Sequence, residues 1–316
     1  MKAVTLFFIS LFIVFLPASK INAQNKTDKG YDNSTMKDAY ELSNIIVKDR
    51  LKNEDSTNVD LINNISASDL IVINGTYDHI HLVLSYLKLP FTSINHNQLD
   101  TITFKQHQTV FVNCASSFPE KHARKLATFV AQGGQLITTD WALKFVLEKA
   151  FPGYVSYNNK PTADEVVRVE VMDKDDPVIT GFLDEETAPV WWLEGSSYPI
   201  KILNKSKVKV LIRSKELKEK YGEEAVLIRF EYGEGVVYHM ISHFYLQRTE
   251  TKDAKQTGNA KEYMEAKSVS NNALSPEYEK QAEKVNYGEA QSANTSSEFI
   301  MRAVVNQKRK VEKRNK

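Results

Sequence analysis

A carboxylate and an imidazole stand at the ends of two apolar runs. Asp140 follows Gln135-Leu136-Ile137-Thr138-Thr139, and His243 follows the run from Val236 to Ser242. An Asp at a strand end can cap the helix that follows, or serve as a general base, a nucleophile or an anchor for a ligand hydroxyl. The two roles are compatible, because a cap at a strand end also faces the crevice. His243 can supply the proton, since an imidazole titrates near neutral pH. Asp140 and His243 are therefore the candidate catalytic residues. Tyr77, Asp78 and His79 follow the first apolar run and Trp141 follows Asp140, so all four are candidate ligand contacts. Trp191, Trp192 and Glu194 sit in the stretch Trp-Trp-Leu-Glu-Gly-Ser-Ser-Tyr-Pro. Aromatic faces beside a carboxylate suit a sugar ring, which packs its C–H face on the aromatic while hydroxyls bond the polar groups. The same aromatics would serve equally as core.

Other chemistry is less well supplied. Cys114 ends another apolar run, Thr109 to Cys114. Its thiol is either a small buried hydrophobe or a nucleophile if a His lowers its pKa. One cysteine in the chain excludes an intrachain disulfide and a multi-cysteine zinc site. His79 and His81 fall in a segment of helical periodicity, where residues two apart diverge by about 200°. His239 and His243 would lie about 13 Å apart on a strand, too far to share an ion. No metal and no cofactor are expected. Tyr232-Gly233-Glu234-Gly235 is a turn and not a phosphate loop, for no Gly-Lys-Ser/Thr follows it.

The elements that must hold these residues are legible as alternating runs. Leu70 to Ile73, Thr109 to Cys114 and Gln135 to Thr139 are uninterrupted enough for strands buried on both faces. Between them Ile80, Val83, Leu84 and Leu87, then Ala123, Leu126, Ala127 and Val130, recur at helical spacing, and Gly133-Gly134 ends the second helix. Trp141 to Ala150 reads as a third helix. Strand alternating with helix predicts a three-layer α/β fold, a flavodoxin-like and mostly parallel sheet with helices on both faces. After Pro152-Gly153, strands are expected at Val166–Val171, Val208–Ile212, Ala225–Phe230 and Val236–Ser242, the last two as a hairpin.

The ends of the chain are different in character. Lys2, the apolar run Ala3 to Phe15, Pro17 and Ile21-Asn22-Ala23 predict a signal peptide over residues 1–23, and hence export to a periplasmic or extracellular location. That apolar core is shorter than the roughly 20 residues of a membrane span, and no cysteine follows it for lipid attachment, so no stable membrane anchor is expected. The expected divisions are a polar linker at 24–66, in which Ala39 to Leu51 has the helical spacing of a short amphipathic stretch, the α/β domain at 67–250, a mobile polar segment at 251–295, and a terminal helix with a basic tail at 296–316. Forty-one basic and 40 acidic residues give a net charge of +1, or −1 without residues 1–23. So balanced a chain lacks the basic field of a nucleic-acid binder. The oligomeric state is left open.

Four stretches together resemble the class I glutamine amidotransferase-like superfamily, in its trehalose-utilisation (ThuA-like) branch. They are Val130 to Leu136, with its Gly-Gly; Asp176-Pro177-Val178-Ile179-Thr180-Gly181-Phe182; Val208-Lys209-Val210-Leu211; and Tyr232 to Tyr238, running on to Ser242-His243. The resemblance implies the amidotransferase-like α/β fold and a site near His243. It does not extend to the amidotransferase nucleophile. The matching turn is Thr138-Thr139-Asp140-Trp141-Ala142, with no Cys and no flanking Gly, and no His-Pro-Glu ending follows His243. A Cys-His-Glu glutamine amidotransferase is therefore not expected, and whether the chain is an enzyme stays open. The expected function is an exported ThuA-like module that binds a small polar ligand, a carbohydrate among the candidates. The alternatives are a carbohydrate-modifying hydrolase using Asp140 and His243, and a non-catalytic interaction module of the cell envelope.

Overall fold

A computed structural model describes residues 33–180, 188–244, 251–269 and 275–314. The signal peptide expected at 1–23 and the start of the expected linker lie outside the described residues, as do Gly181 and Phe182. The chain enters through α1 (Asn33–Glu54) and α2 (Thr57–Asn63). There follow β1 (Leu70–Ile73), α3 (Ile80–Tyr86), β2 (Thr92–Ile94), β3 (Thr109–Asn113), α4 (Glu120–Ala131) and β4 (Gln135–Thr139). A π-helical turn, Leu143–Leu147, runs into the short α5 (Glu148–Ala150). β5 (Val155–Tyr157), β6 (Glu165–Arg168), β7 (Glu170–Val171), β8 (Val190–Leu193), β9 (Ile200–Ile202) and β10 (Val208–Arg213) come next. α6 (Lys215–Tyr221) begins at Ser214, whose hydroxyl accepts the Leu217 N–H, and ends at Gly222, where φ is 88°. β11 (Ala225–Tyr232), β12 (Gly235–Met240), α7 (Ala260–Ala266), α8 (Pro276–Ala282) and α9 (Tyr287–Arg314) complete the chain.

The main sheet has the order β2-β1-β3-β4-β12-β11-β10-β7, with β9 and β5 attached beside β11. β2, β1, β3, β4 and β12 are mutually parallel, and the hairpin partner β11 and then β10 and β7 run antiparallel. The fold is thus the expected α/β class with a mostly parallel, flavodoxin-like sheet. Its strand order reverses between β1 and β3, and sheets of this type bind ligands outside the carboxyl ends near that reversal. Register makes those ends level. Ile73 pairs with Val112, Asn113 with Thr139, and Thr139 with Met240.

Side-chain alternation along β11 and β12 sends neighbouring residues to opposite layers. Tyr238 meets Phe299 of α9, with ring centroids 5.7 Å apart, while Phe230, paired with Val237, meets Phe151 after α5 at 5.2 Å. α9 lies antiparallel to the central strands. Its Phe299 and Thr295 are near His243 at the carboxyl ends, and its Ala303 carbonyl accepts Gln135 Nε2–H at the amino end of β4, at 3.0 Å.

Several expectations are corrected. The amphipathic stretch expected at Ala39 to Leu51 lies in α1, but the linker expected around it is helical too, as the ends of α1 and as α2, and α1 buries Ala39, Tyr40, Leu42, Ile46 and Val47. The segment expected to be mobile at 251–295 contains α7, α8 and the start of α9 in its described part. Its helical face was invisible to apolar periodicity because it buries Gln291, Ser292, Asn294 and Thr295. The basic tail is helical and paired: Lys308 with Asp69 at 2.6 Å, Arg309 with Asp55 at 2.5 Å and Arg314 with Glu234 at 3.2 Å. The strand expected at Val166–Val171 is two strands that break at Val169, β6 pairing β8 in a separate two-stranded sheet and β7 pairing β10. No helix among the described residues is long and apolar enough to cross a membrane.

Candidate functional site

Four parallel strands deliver one polar residue each to the same place. The loop after β1 carries Asp78, β3 is followed at once by Cys114, β4 by Asp140, and β12 by Ile241-Ser242-His243. Cys114, Asp140 and Ser242 all hold the left-handed backbone region, with φ of 42°, 47° and 73°. Such conformations cost non-glycine residues about 1–3 kcal/mol and persist only where the surroundings enforce them. Two enforcing contacts are visible. Cys114 N–H donates to the Thr139 carbonyl at 3.1 Å, and Asp140 N–H donates to the Met240 carbonyl at 3.0 Å. The β1 loop closes over the Cys114 turn because Gly75 has no side chain. A Cβ there would stand 1.7 Å from the Asn113 carbonyl oxygen.

His243 is the centre of the cluster. Its Nδ1 lies 2.8 Å from Glu194 Oε2 and its Nε2 lies 3.1 Å from Asp140 Oδ2. The Cys114 thiol is 3.9 Å from the same Asp140 oxygen. Asp140 Oδ1 accepts the Tyr198 N–H at 2.9 Å, which leaves Oδ2 for the cluster. Glu194 reaches His243 because the end of β8 is clamped to the segment after β12. Trp191 Nε1–H donates to the Ile241 carbonyl at 3.1 Å, and Glu194 N–H donates to Ser242 Oγ at 3.1 Å. Asp78 is tied in through Thr139, whose hydroxyl donates to Asp78 Oδ2 at 2.9 Å and accepts the Cys114 N–H at 3.2 Å.

Burial and charge act against each other here. Burial alone would discharge His243, but Glu194 and Asp140 outweigh it and hold the imidazole well above its ordinary value, as the charged form. Burial pushes the Cys114 thiol up; His243 opposes this, and the Asp140 and Asp78 carboxylates add to it. Burial likewise raises the Asp78 carboxyl, against the pull of His243. The resting cluster therefore holds a neutral thiol beside an imidazolium, and not an activated thiolate.

Around Asp140 the aromatic rings form a row. Tyr77 meets Trp141 edge-on at 5.2 Å, Trp141 stacks on Tyr198 at 5.7 Å, and Tyr198 stacks on Tyr157 at 3.8 Å. Trp141 is fixed by its Nε1–H, which donates to the Ser196 carbonyl at 2.8 Å. Tyr77 is 59% exposed.

The expected site residues divide accordingly. Asp140, His243, Glu194, Asp78, Trp141 and Tyr77 come together. Trp191 and Trp192 do not form the exposed ring platform. Both are buried in β8, and with His243, Met240 and Phe299 they line a cavity of about 20 Å³, room for about one water. His79 is exposed, and its ring meets His81 at 5.7 Å. It stands just before α3, so the divergence expected of two helical positions does not apply. Asp140 is not the side-chain cap of the next helix; its carboxylate is engaged by Tyr198 and faces His243. Cys114 is buried, as its hydrophobe reading has it, yet its sulfur also belongs to the cluster. The signal for it was present, since Asn113-Cys114 and Thr139-Asp140 end neighbouring buried strands in the same way.

No family profile and no curated protein matches the sequence. Solved structures offer loose likenesses only. A cytoplasmic protein of Salmonella typhimurium aligns at 11% identity over 55% of this chain and 87% of that one, with a TM-score of 0.38. A protein described as ThuA-like, from Bacteroides uniformis, aligns at 10% identity over 56% and 80%, with a TM-score of 0.40. A β-galactosidase of Bacillus circulans aligns at 13% identity over 54% of this chain, with a TM-score of 0.39, and the aligned region spans only 28% of the enzyme.

Proposed function

We propose that the protein is an exported ThuA-like module that binds a small polar ligand, carbohydrate being the class that suits it best, without Cys-dependent amidotransferase chemistry. One observation carries this reading: the Asp140–His243–Glu194 cluster adjoins the aromatic row Tyr77, Trp141, Tyr198 and Tyr157, with Asp140 accepting the Tyr198 N–H. Carboxylates accept hydroxyl protons, the imidazolium donates, and ring faces cover C–H surfaces. The amidotransferase reading is set aside because the thiol is held neutral by burial and by the carboxylates near it.

A ligand that binds only the folded chain raises its melting temperature. In a panel of mono- and oligosaccharides, at least one is expected to do so for the mature protein. Trp141→Ala and Asp140→Asn should each weaken that binding by about 10-fold or more, the size of one lost aromatic or charged contact. A panel without a single shift would sink the carbohydrate assignment.

The second reading is a hydrolase, favoured by the left-handed backbone at both Cys114 and Asp140. In it His243 gives a proton to the leaving group and Asp140 takes one from water, so turnover of a bound ligand separates it from simple binding. Export rests on Lys2 and the apolar run to Phe15. A native mature chain beginning at Gln24 is expected by N-terminal sequencing, and a chain retaining Met1 would remove the claim.

A further inference from the structure

We propose that Cys114, Asp140 and His243 form a binding site for a single transition-metal ion of the zinc type. The ligand atoms are Cys114 Sγ, Asp140 Oδ2 and His243 Nε2, and all three lie within 4.8 Å of one another. Tetrahedral zinc sets the spacing such atoms should have. With bonds of about 2.0–2.1 Å to nitrogen and oxygen and about 2.3 Å to sulfur, the N···O edge is about 3.3 Å and the S···O edge about 3.6 Å. The corresponding separations here are 3.1 Å for His243 Nε2 to Asp140 Oδ2 and 3.9 Å for Cys114 Sγ to Asp140 Oδ2. Adjustments of a few tenths of an ångström bring these two edges to the tetrahedral spacing, and the third, between Cys114 Sγ and His243 Nε2, is no longer than 4.8 Å.

The surroundings are those of a metal site in two independent respects. First, His243 Nε2 is buried, with only 7% of its side chain exposed, and has no aligned hydrogen-bond partner although it points among the other two ligand atoms. A buried ring nitrogen left so is costly unless something fills the position. Second, the outer shell is already built. Glu194 holds His243 Nδ1 at 2.8 Å, the carboxylate–histidine pairing that orients an imidazole toward a metal, and the Tyr198 N–H holds the other oxygen of Asp140 at 2.9 Å. Glu194 is thus a positioning residue and not a ligand.

The donor set decides the metal. One sulfur, one imidazole nitrogen and one carboxylate oxygen suit Zn²⁺ and its neighbours in the first row, and not the all-oxygen shells of Mg²⁺ or Ca²⁺. Binding displaces two protons to solvent, one from the thiol and one from Nε2 of the imidazolium, and thiolate plus carboxylate then balance the two positive charges of the ion. Three protein ligands leave a fourth position for water or a ligand oxygen, the arrangement of zinc sites that do chemistry. The proposal does not depend on the carbohydrate reading, since it stands on the protein's own ligand atoms.

The test uses the mature chain, stripped with chelator and titrated with Zn²⁺ and with Co²⁺. One equivalent per chain is expected by native mass spectrometry, with Co²⁺ giving the visible bands of a tetrahedral ion and a near-ultraviolet sulfur-to-metal band. Cys114→Ser should abolish the sulfur band, and it should weaken Zn²⁺ binding at least 100-fold, as should Asp140→Asn. Glu194→Gln should weaken it by about 10–100-fold with the sulfur band retained, as outer-shell losses do. Melting curves in chelator show whether each variant is folded, and Cys114→Ser, close in shape, keeps the test open if Asp140→Asn is not. Absence of a one-equivalent complex in the wild type, or Cys114→Ser and Asp140→Asn binding like the wild type, would overturn the site. The saccharide panel is run with and without Zn²⁺. Metal bound without any saccharide shift rejects the ligand reading alone, and a shift without metal binding rejects the metal alone.

Discussion

Replacing Glu298 by alanine is expected to cost about 3–5 kcal/mol of stability, read from urea unfolding, because it removes one partner from a buried ion-pair network. Glu298 lies on α9 with no exposed side chain. Its Oε1 is 2.9 Å from Arg50 Nε of α1, and its Oε2 is 3.9 Å from Arg302 Nε, itself only 4% exposed. Arg302 reaches on to Glu54 of α1, at 2.6 and 2.8 Å. Taking away the central carboxylate removes the acid that faces both the Arg50 and the Arg302 guanidinium groups. Burying Tyr263 beside Glu298 pushes its phenol well up, which is the same field seen by a neighbour. Glu298→Gln should lose part of this stability, since it keeps the shape and a carbonyl acceptor. The double variant Glu298→Ala with Arg50→Met should be less destabilised than the sum of the singles, because both members of one close charge pair are removed together. A loss below about 1 kcal/mol in Glu298→Ala would mean that water reaches the pair and that the α1–α9 contact is not sealed.

That network also explains which parts of the molecule could be read in advance. β1, β3 and β4 announce themselves because strands covered on both faces need unbroken apolar runs, and Leu70–Ile73 and Gln135–Thr139 have the expected boundaries. The β11–β12 hairpin follows from its glycine turn, where Gly233 has φ of 60°. α9 was half hidden, because its inward face pairs Ser, Asn, Glu and Arg with α1 where periodicity looks for leucine. Its Asn294 accepts from Ser43 at 3.1 Å and donates to the Tyr263 hydroxyl at 3.0 Å. β8 leaves two readings open in the sequence, a ligand-facing aromatic cluster or core, since Trp191 and Trp192 look alike whether they stack on a sugar or fill a core. Asp140 and His243 were legible from their places at strand ends. Their union with Cys114 and Glu194 was not, because it depends on strand order in the sheet, and local sequence carries no record of which strands become neighbours.

Two histidines four residues apart, His239 within β12 and His243 just after it, are expected to limit stability from opposite sides of neutrality. His239 is buried on β12 beside Thr138, its Nδ1 2.8 Å from the threonine hydroxyl. Its Nε2 has no partner, and burial lowers its pKa to about 3. The unfolded chain takes up this proton near pH 6.5 and the folded chain does not, so stability falls as pH drops from there toward 3. At pH 4 the loss from this residue alone is about 3 kcal/mol. His239→Gln keeps a hydrogen-bonding group of similar size without the titration, so it should lose less stability than the wild type between pH 7 and pH 4. His243 is nearly as buried but lies between Glu194 and Asp140, which hold it charged. Its folded pKa is raised, so its contribution is complete below the ordinary histidine value and is lost as pH climbs through the folded value. Asp78, raised by burial, acts in the same direction. In chelator, His243→Gln should therefore be less stable than the wild type at neutral pH, with the gap narrowing in the alkaline range. Urea unfolding of the wild type and both variants across pH reads the two limbs separately. Parallel curves for His239→Gln and wild type below pH 6 would show that His239 is charged in the fold, and that the strand beneath the site is wetter than its burial implies.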